Sequence, residues 1–232
     1  MAARILVASC ALLAFFHVAC AQDIAVQVYH QPTQARQALV NSYIDVATQL
    51  NSVKSQVEHL YIDFASRMTN NMNSVIKNIT NCVESTRRNC HWDYCHTPDN
   101  QCWVKFDYHL QKIAHDGRKK AEESAEIHTK YLKGYMVVAR IHLDRTAGCL
   151  RRYDRFLRGC RLSCQETARV SRFHRIALEK IRRVRNDLPF TKRAYHDLLC
   201  RSRQELRQFE RYASIQTRRA IEEMRSCVDV RR

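Results

Sequence analysis

Apolar residues recur along the chain at steps of three and four, beginning at Leu39. Such spacing places an apolar stripe along an α-helix, and here the steps form a heptad seam with one local stutter. No glycine or proline interrupts residues 33–88, and the pattern predicts one long helix over about residues 33–80. The seam comprises Leu39, Tyr43, Val46, Leu50, Val53, Val57, Leu60, Phe64, Met68, Met72, Val75 and Ile79.

Three more amphipathic segments follow a break in this pattern. Their predicted helices span about residues 103–147, 149–187 and 190–228. Gly148 is expected to cap the second helix, and Asn186 to Pro189 supplies a stop and a turn between the third and the fourth. The break itself, residues 82–102, combines turn-forming residues with four cysteines and predicts a Cys-rich loop stapled by two local disulfides.

The predicted fold class is all-α. Helices one and two have similar predicted lengths, as do helices three and four, and short connections make consecutive helices antiparallel neighbours. We therefore expect an elongated, disulfide-stapled up-down-up-down four-helix bundle, with two coiled-coil hairpins hinged at Gly148 as the alternative. A hairpin centred near Leu188 would place Cys149 opposite Cys227, which predicts a bridge between them. Four glycines and three prolines are too few turn-forming residues for a sandwich, a barrel or a Rossmann fold.

The N-terminus has the features of a secretory signal peptide over residues 1–21. Arg4 supplies the charge, residues 5–16 are largely apolar, and a run of small residues ends at Ala21, where we expect cleavage. Residues 22–232 would then form a single helical domain. The apolar run is shorter than a membrane span needs, so we expect a secreted, extracellular protein with no transmembrane span.

Secretion changes the interpretation of the cysteines, because an oxidising compartment favours disulfides over metal sites. Nine cysteines remain after cleavage, and this odd number leaves one of them unpaired or available for a bridge to a second chain. The disulfide candidates are Cys82, Cys90, Cys95, Cys102, Cys149, Cys160, Cys164, Cys200 and Cys227. The sequon at Asn78 predicts a glycoprotein.

One dense group of metal-ligand residue types comprises Cys90, His91, Cys95 and His96. Its spacing departs from the paired thiolates of a structural zinc site, so local disulfides are the preferred interpretation. The sequence contains no Gly-x-Ser-x-Gly nucleophile elbow and no glycine-rich phosphate loop. We therefore predict no catalytic residue, no metal and no cofactor, and a protein that is not an enzyme.

The chain is strongly basic, with 39 Lys and Arg against 23 Asp and Glu and a formal net charge of +16. The excess lies in residues 101–232, where arginine dominates the C-terminal part. Arginine favours planar, bidentate contacts to phosphate, sulfate or carboxylate groups. Two faces of the predicted helices carry the candidate polyanion-binding residues, which are Arg151, Arg155, Arg158, Arg203, Arg207, Arg211 and Arg218.

Two interpretations of these arginines stay open. They form either a solvated basic face that pairs with acids of the first helix or a binding site for a polyanion. The candidate polyanions are a sulfated glycan, an anionic lipid surface and a nucleic acid. Nucleic acid is disfavoured because no recognition module is present, and lipid is less favoured because Trp92 and Trp103 lie in or beside the Cys-rich loop.

Three features combine between residues 80 and 160. They are the cysteine-rich break from Cys95 to Cys102, the helix start Trp103-Val104-Lys105-Phe106, and Cys149 and Cys160 on either side of a helical turn. Together they resemble the insect secreted domains of the tsetse EP type. The resemblance implies a secreted helical protein of an arthropod epithelium with no established enzymatic role.

The predicted function is that of a secreted, non-enzymatic interaction protein. It would bind an extracellular protein or a polyanionic glycan through its Arg-rich C-terminal half. The alternative is a structural or assembly protein that pairs with another chain through its coiled-coil heptad seams. An odd cysteine or a heptad seam could join two copies into a homodimer.

Overall fold

Four α-helices make up the described chain. A computed structural model describes the backbone of residues 34–94, 101–160 and 168–230 and their side chains except those of residues 91–94. The helices are α1 (Gln34–Tyr94), α2 (Gln101–Tyr135), α3 (Val137–Gly159) and α4 (Ala168–Asp229). They pack on one another, and a disulfide links α2 to α4. The predicted all-α, four-helix, disulfide-stapled class is confirmed, while the predicted signal peptide lies outside the described residues.

Helices α2 and α3 follow one line and are separated only by Met136. The Met136 amide donates to the carbonyl oxygens of Leu132 and Lys133, both at 3.2 Å, and the Arg140 amide donates to the Met136 carbonyl at 3.0 Å. The helical hydrogen bonds therefore continue through the break. They form one tightened turn there, in which the Met136 amide makes a 3₁₀-type bond to Lys133 as well as the α-helical bond to Leu132. The break falls at a residue that favours helix, which explains why no turn signal marked it.

The four helices consequently build three long rods. α1 runs antiparallel to the line of α2 and α3, and it runs parallel to α4. The chain therefore reverses direction twice, between α1 and α2 and between α3 and α4, whereas four alternating helices would reverse it three times. The contacts that define these directions are Leu39–Tyr153, Ile79–Gly117, Asp63–Tyr195 and Asn78–Glu210.

The first helix does not end near residue 80. It continues through the first part of the predicted Cys-rich loop to Tyr94. Val83 and Cys90 extend the seam and pack against Phe106 of α2. A buried cysteine packs as a small apolar side chain. The prediction of a loop from the cysteines and asparagines of this segment was therefore wrong. Residues 95–100 of that predicted loop lie outside the described residues.

Two predicted boundaries inside the second half are also wrong. Gly148 lies within α3, and Pro189 lies within α4. A proline in a helix removes one amide donor and costs about 3 kcal/mol. Here Leu188 and Thr191 are buried on either side of it, so packing offsets that penalty. The exposed Arg185, whose carbonyl loses its donor, lies at the surface where water can bind.

The core lies along the heptad seam of α1. Val46, Val53 and Phe64 are fully buried and pack with Leu132 and Met136 of the neighbouring line. The α4 residues that complete this cluster include Ala177, Ile181, Val184, Leu188, Tyr195, Leu198 and Leu199. The seam therefore meets helices of its own chain, and its apolar side chains are covered there.

The disulfide staple joins the start of α2 to the end of α4. Cys102 is bonded to Cys227, with 5.9 Å between their Cα atoms. The predicted Cys149–Cys227 bridge is wrong because it assumed a turn near Leu188. Since α3 continues the line of α2, Cys149 lies on the order of 70 Å from Cys102 along that line.

The other cysteines divide into free and bonded groups. Cys82, Cys149 and Cys200 carry free thiols. The prediction of two local disulfides among the cysteines of residues 82–102 is therefore wrong, since Cys82 is free and Cys102 bonds elsewhere. Cys160 is also disulfide-bonded. Cys95 and Cys164 lie outside the described residues.

Within residues 34–94, 101–160 and 168–230, no helix has the length and apolar content needed to cross a membrane.

Candidate polyanion-binding surface

All seven arginines of the predicted polyanion-binding set are exposed, but they form two groups. Arg151, Arg155 and Arg158 lie on α3, and the other four lie on α4. α3 and α4 are antiparallel, because Tyr135 just before the start of α3 lies beside Phe190, whereas Leu157 near the end of α3 packs with Val170 near the start of α4. The centres of the two groups are therefore on the order of 50 Å apart along the bundle. The structure does not bring them together into one site.

The four arginines of α4 form one exposed line. Arg203, Arg207 and Arg211 step by four residues, and Arg218 follows after seven, so their Cα atoms lie on nearly the same side of the helix. We call these four residues the α4 stripe. The opposite side of α4 is held in the core by Leu199, Ser202, Leu206, Ala213 and Thr217, all of which are buried.

The guanidinium groups of the α4 stripe have no carboxylate within 4.0 Å among the described residues. Arg203 and Arg207, and likewise Arg207 and Arg211, are like-charged i,i+4 neighbours. Each such pair destabilises a helix by about 0.2–0.5 kcal/mol. An anion that contacts two consecutive guanidiniums would replace this repulsion with attraction.

The two carboxylates within the α4 stripe are bound to other helices. Glu205 accepts a 2.6 Å hydrogen bond from Ser124 of α2 and lies 3.0 Å from Nε2 of His128. Glu210 accepts a 3.1 Å hydrogen bond from the Asn78 amide of α1. Glu222 follows Arg218 by four residues, and it has no cationic group within 4.0 Å among the described residues. The sequence thus assigns both local carboxylates to helix packing and leaves the arginines to solvent.

The environment of Glu205 favours its ionised form. The hydrogen bond from Ser124 lowers the pKa of the Glu205 carboxyl, burial opposes that shift, and His128 lowers the pKa further. A charged carboxylate between α2 and α4 strengthens both hydrogen bonds. Glu205 lies two residues from Arg203 and from Arg207, and positions two apart do not face each other on a helix, so it does not pair with either.

The acids of α1 do not pair with the predicted arginines either. Asp63 accepts hydrogen bonds from Tyr195 and from Arg67 on its own helix. The hydrogen bond from Tyr195, followed by that from Arg67, lowers the pKa of Asp63. Asp45 accepts from Gln49, and Glu58 lies 3.8 Å from Lys54. The interpretation of the basic face as one paired with acids of the first helix therefore finds no such pair here.

A shallow depression along the α4 stripe is lined by neutral polar side chains as well as by arginines. His196, Gln204 and Gln208 line the same depression as Arg203, Arg207 and Arg211, and the exposed Cys200 thiol lies among them. Amide side chains supply additional donors for sulfate or phosphate oxygens. The surface is open and elongated, as binding of a linear polymer requires.

The α3 group carries less free charge. Arg158 donates to Asp154 on its own helix at 2.9 Å, whereas Arg151 and Arg155 are exposed without an ion pair to any described residue. An arginine that is already paired with a carboxylate, as Arg158 is, contributes less to anion binding than an unpaired one. The α4 stripe is therefore the stronger candidate of the two.

A buried polar cluster between α2 and α4 was missed by sequence reasoning. Ser124 and His128 are both buried and both contact the same oxygen of Glu205. Nδ1 of His128 has no hydrogen-bond partner in the described part of the chain. Both side chains are directed to Glu205, whereas a nucleophilic serine would be hydrogen-bonded to its histidine base. The signal was available, because the two residues lie four apart between Ala121 and Leu132 on the inner face of α2.

The remaining predicted sites are only partly described. Asn78 is exposed on α1, and its amide nitrogen, the atom that a glycan would modify, donates to Glu210. Of the group of metal-ligand residue types noted in the sequence, Cys90 is buried in the core. Cys95, His96 and the side chain of His91 are not among the described parts of the chain. Among described residues, no three His, Cys, Asp or Glu side chains are grouped to hold a metal ion.

The chain matches no protein-family model, no curated protein and no solved structure. Its resemblance to the tsetse EP type therefore stays a prediction, and its function is argued from its residues.

Proposed function

We propose that this chain is a secreted, non-enzymatic helical protein that binds an extracellular polyanion, a sulfated glycan, along the α4 stripe. One observation carries the proposal. Four exposed arginines follow one line of α4, while both acids among them are bound to neighbouring helices. The four guanidinium groups are therefore exposed together without a carboxylate partner among the described residues.

The chemistry of the guanidinium suits this ligand. Each arginine can donate two parallel hydrogen bonds to one sulfate group, and its charge does not titrate at physiological pH. Arg203 to Arg218 spans on the order of 20 Å along α4, which is long enough to contact several units of an extended chain. The release of counterions from the polymer would then supply most of the affinity.

The bundle holds the stripe straight. α4 packs against α1, α2 and α3 along its length, and the Cys102–Cys227 bond fixes its C-terminal end to α2. The arginines are therefore presented on a rigid rod, and only their side chains need to be ordered on binding. That lowers the entropic cost of binding relative to a flexible basic tail.

The alternative function, assembly through heptad seams, has less support. The α1 seam residues from Leu39 to Ile79 are largely buried against α2, α3 and α4 of the same chain. Pairing with another chain through that seam would require the bundle to open.

Binding to glycans of different sulfation tests the proposal. The secreted, oxidised protein is expected to bind heparin and to bind it less tightly as salt increases, because screening and counterion release both depend on ionic strength. Hyaluronan, which carries carboxylates but no sulfate, should bind at least tenfold more weakly. Absence of heparin binding at low salt, or equal affinity for the two glycans, would contradict the sulfated-glycan assignment.

A further inference from the structure

An exposed apolar surface lies at the junction of α2 and α3, away from the α4 stripe. Ile127, Tyr131, Tyr135 and Val138 step along one side of the line by four, four and three residues, and Phe190 of α4 lies beside them. We call these five residues the junction patch. Their exposed fractions are 50%, 58%, 47%, 55% and 55%, respectively.

The patch is concentrated rather than scattered. Of the 14 exposed large apolar residues in the described chain, seven lie here, since Val137 and Ile141 flank the five. The rings of Tyr135 and Phe190 are 5.8 Å apart in an edge-on arrangement, which joins the two helices into one surface. Contiguous apolar surface of this kind on a soluble protein marks an interaction site.

The fold leaves this surface uncovered for a local reason. The inner face of the junction is filled by Leu132, Met136 and Ala139, which are buried in the core. On the outer face, a Cβ atom on Gly134 would find no atom of the described chain within 4 Å. The apolar residues of the junction are thus in excess of what the core requires.

The charges beside the patch indicate what kind of partner fits. The two segments that carry it, residues 126–141 and 188–202, hold six Lys and Arg and two acids, although Arg140 lies over the ring of Tyr61 of α1, 5.3 Å from its centroid. None of these eight groups lies within 4.0 Å of an opposite charge of the described chain. A second copy would bring the same excess of positive charge to the interface, so the patch favours an anionic partner.

We propose that the junction patch binds the surface of an anionic lipid bilayer. Tyrosine, phenylalanine and branched aliphatic side chains beside Lys and Arg are the composition of membrane-interface segments. The aromatic and aliphatic groups enter the headgroup boundary, and the flanking cations contact anionic headgroups. The rod lies along the surface, and none of its described helices crosses it. The tryptophans are not needed, because Tyr131, Tyr135 and Phe190 supply the aromatic groups.

Co-sedimentation with vesicles tests this proposal. The oxidised full chain is mixed with vesicles of phosphatidylcholine alone or of phosphatidylcholine with phosphatidylserine, and it should bind the latter at least tenfold more tightly. The patch variant carries Tyr131→Ser, Tyr135→Ser and Val138→Ser and should lose at least tenfold in that affinity. A matched control carries Ile44→Ser, Ile62→Ser and Tyr108→Ser, three apolar residues of similar exposure elsewhere, and should bind as the wild type.

Three measurements separate lipid binding by the patch from glycan binding, unfolding and self-association. Heparin affinity of the patch variant should be unchanged, so loss of vesicle binding alone assigns the patch to lipid independently of the α4 stripe. Circular dichroism checks folding, and the single exposed change Val138→Glu serves if the triple variant unfolds. Vesicle binding that is unaffected by both patch variants would overturn the proposal. So would light scattering that finds a wild-type dimer and a monomeric patch variant, since a second copy would then occupy the patch.

Discussion

Ser124 of α2 donates a 2.6 Å hydrogen bond to Glu205 of α4, and this contact joins the two helices. Arg203 and Arg207 lie two residues on either side of Glu205. Residues two apart do not face each other on a helix, so Glu205 lies on a different side of α4 from these arginines. The carboxylate therefore serves packing against α2, while the spacing along α4 leaves the stripe cationic.

Removing the hydroxyl of Ser124 should destabilise the bundle. Ser124→Ala takes one donor from a carboxylate that is 49% exposed, so water partly replaces the lost bond, and we expect the free energy of unfolding to fall by about 0.5–1 kcal/mol. Urea unfolding followed by circular dichroism measures it. Ser74→Ala, an exposed helix position on α1, is the control and should be neutral or slightly stabilising, since alanine favours helix. Equal stability of Ser124→Ala and wild type would mean that the bond contributes nothing to packing.

Stability should decrease in acid partly through Glu205. The folded-state pKa of this carboxyl is lowered from its ordinary value of 4.5, so the folded state binds its proton less readily than the unfolded chain does. The resulting stabilisation is present above the ordinary pKa and is lost as the pH falls through the lowered one. Glu205→Gln should therefore flatten the acid limb of a plot of melting temperature against pH.

Asp63 retains part of that acid limb in the Glu205→Gln variant, because its pKa is also lowered. The expected result is a shallower decline, not a flat line. An acid limb identical to the wild type would show that Glu205 has the same pKa in the folded and unfolded states.

Two glycines of α2 should respond in opposite directions to alanine. At Gly134 a Cβ atom would meet nothing within 4 Å, so Gly134→Ala should stabilise by about 1 kcal/mol through helix propensity. At Gly117 the same atom would lie 2.9 Å from Cδ1 of Ile79, so α1 or Ile79 must shift. Overpacking costs about 1–3 kcal/mol, and the helix propensity of alanine offsets about 1 kcal/mol of it, so we expect Gly117→Ala to destabilise by up to about 2 kcal/mol. Chemical denaturation of the two variants compares them, and similar stabilisation by both would argue against a close α1–α2 approach at Gly117.

The fold class was predictable because the seam from Leu39 to Ile79 is a regular pattern that only a long buried helix satisfies. The boundaries at Gly148 and Pro189 were not, because local turn chemistry there is overridden by buried residues on both sides of each position. The Met136 break was not predictable either, since methionine favours helix. An error in the position of one turn then produced the wrong partner for Cys227.

Of the candidate site, only the positions of the arginines could be predicted from the sequence. Their spacing along α4 follows from the sequence, and all are exposed. What could not be predicted is the partner of each acid, because Asn78 and Ser124 lie 132 and 81 residues from Glu210 and Glu205. The junction patch could not be predicted for the same reason, since Phe190 and Tyr135 become neighbours only when α4 packs against the line of α2 and α3.

The salt dependence of heparin affinity in two matched variants tests the central claim most directly. The stripe variant carries Arg203→Gln, Arg207→Gln and Arg211→Gln. The paired-arginine control carries Arg67→Gln, Arg87→Gln and Arg183→Gln, whose guanidiniums already contact Asp63, Asp107 and Glu179. Both variants lose three positive charges, so a general effect of net charge would change them equally.

We predict that log K against log salt becomes shallower in the stripe variant, by on the order of one per lost contact as for nucleic-acid phosphates, and stays as in the wild type in the control. The melting temperature of the stripe variant should be unchanged or raised, because like-charged neighbours are removed. Equal slopes in the two variants, or a lower melting temperature with an unchanged slope in the stripe variant, would contradict a polyanion-binding stripe.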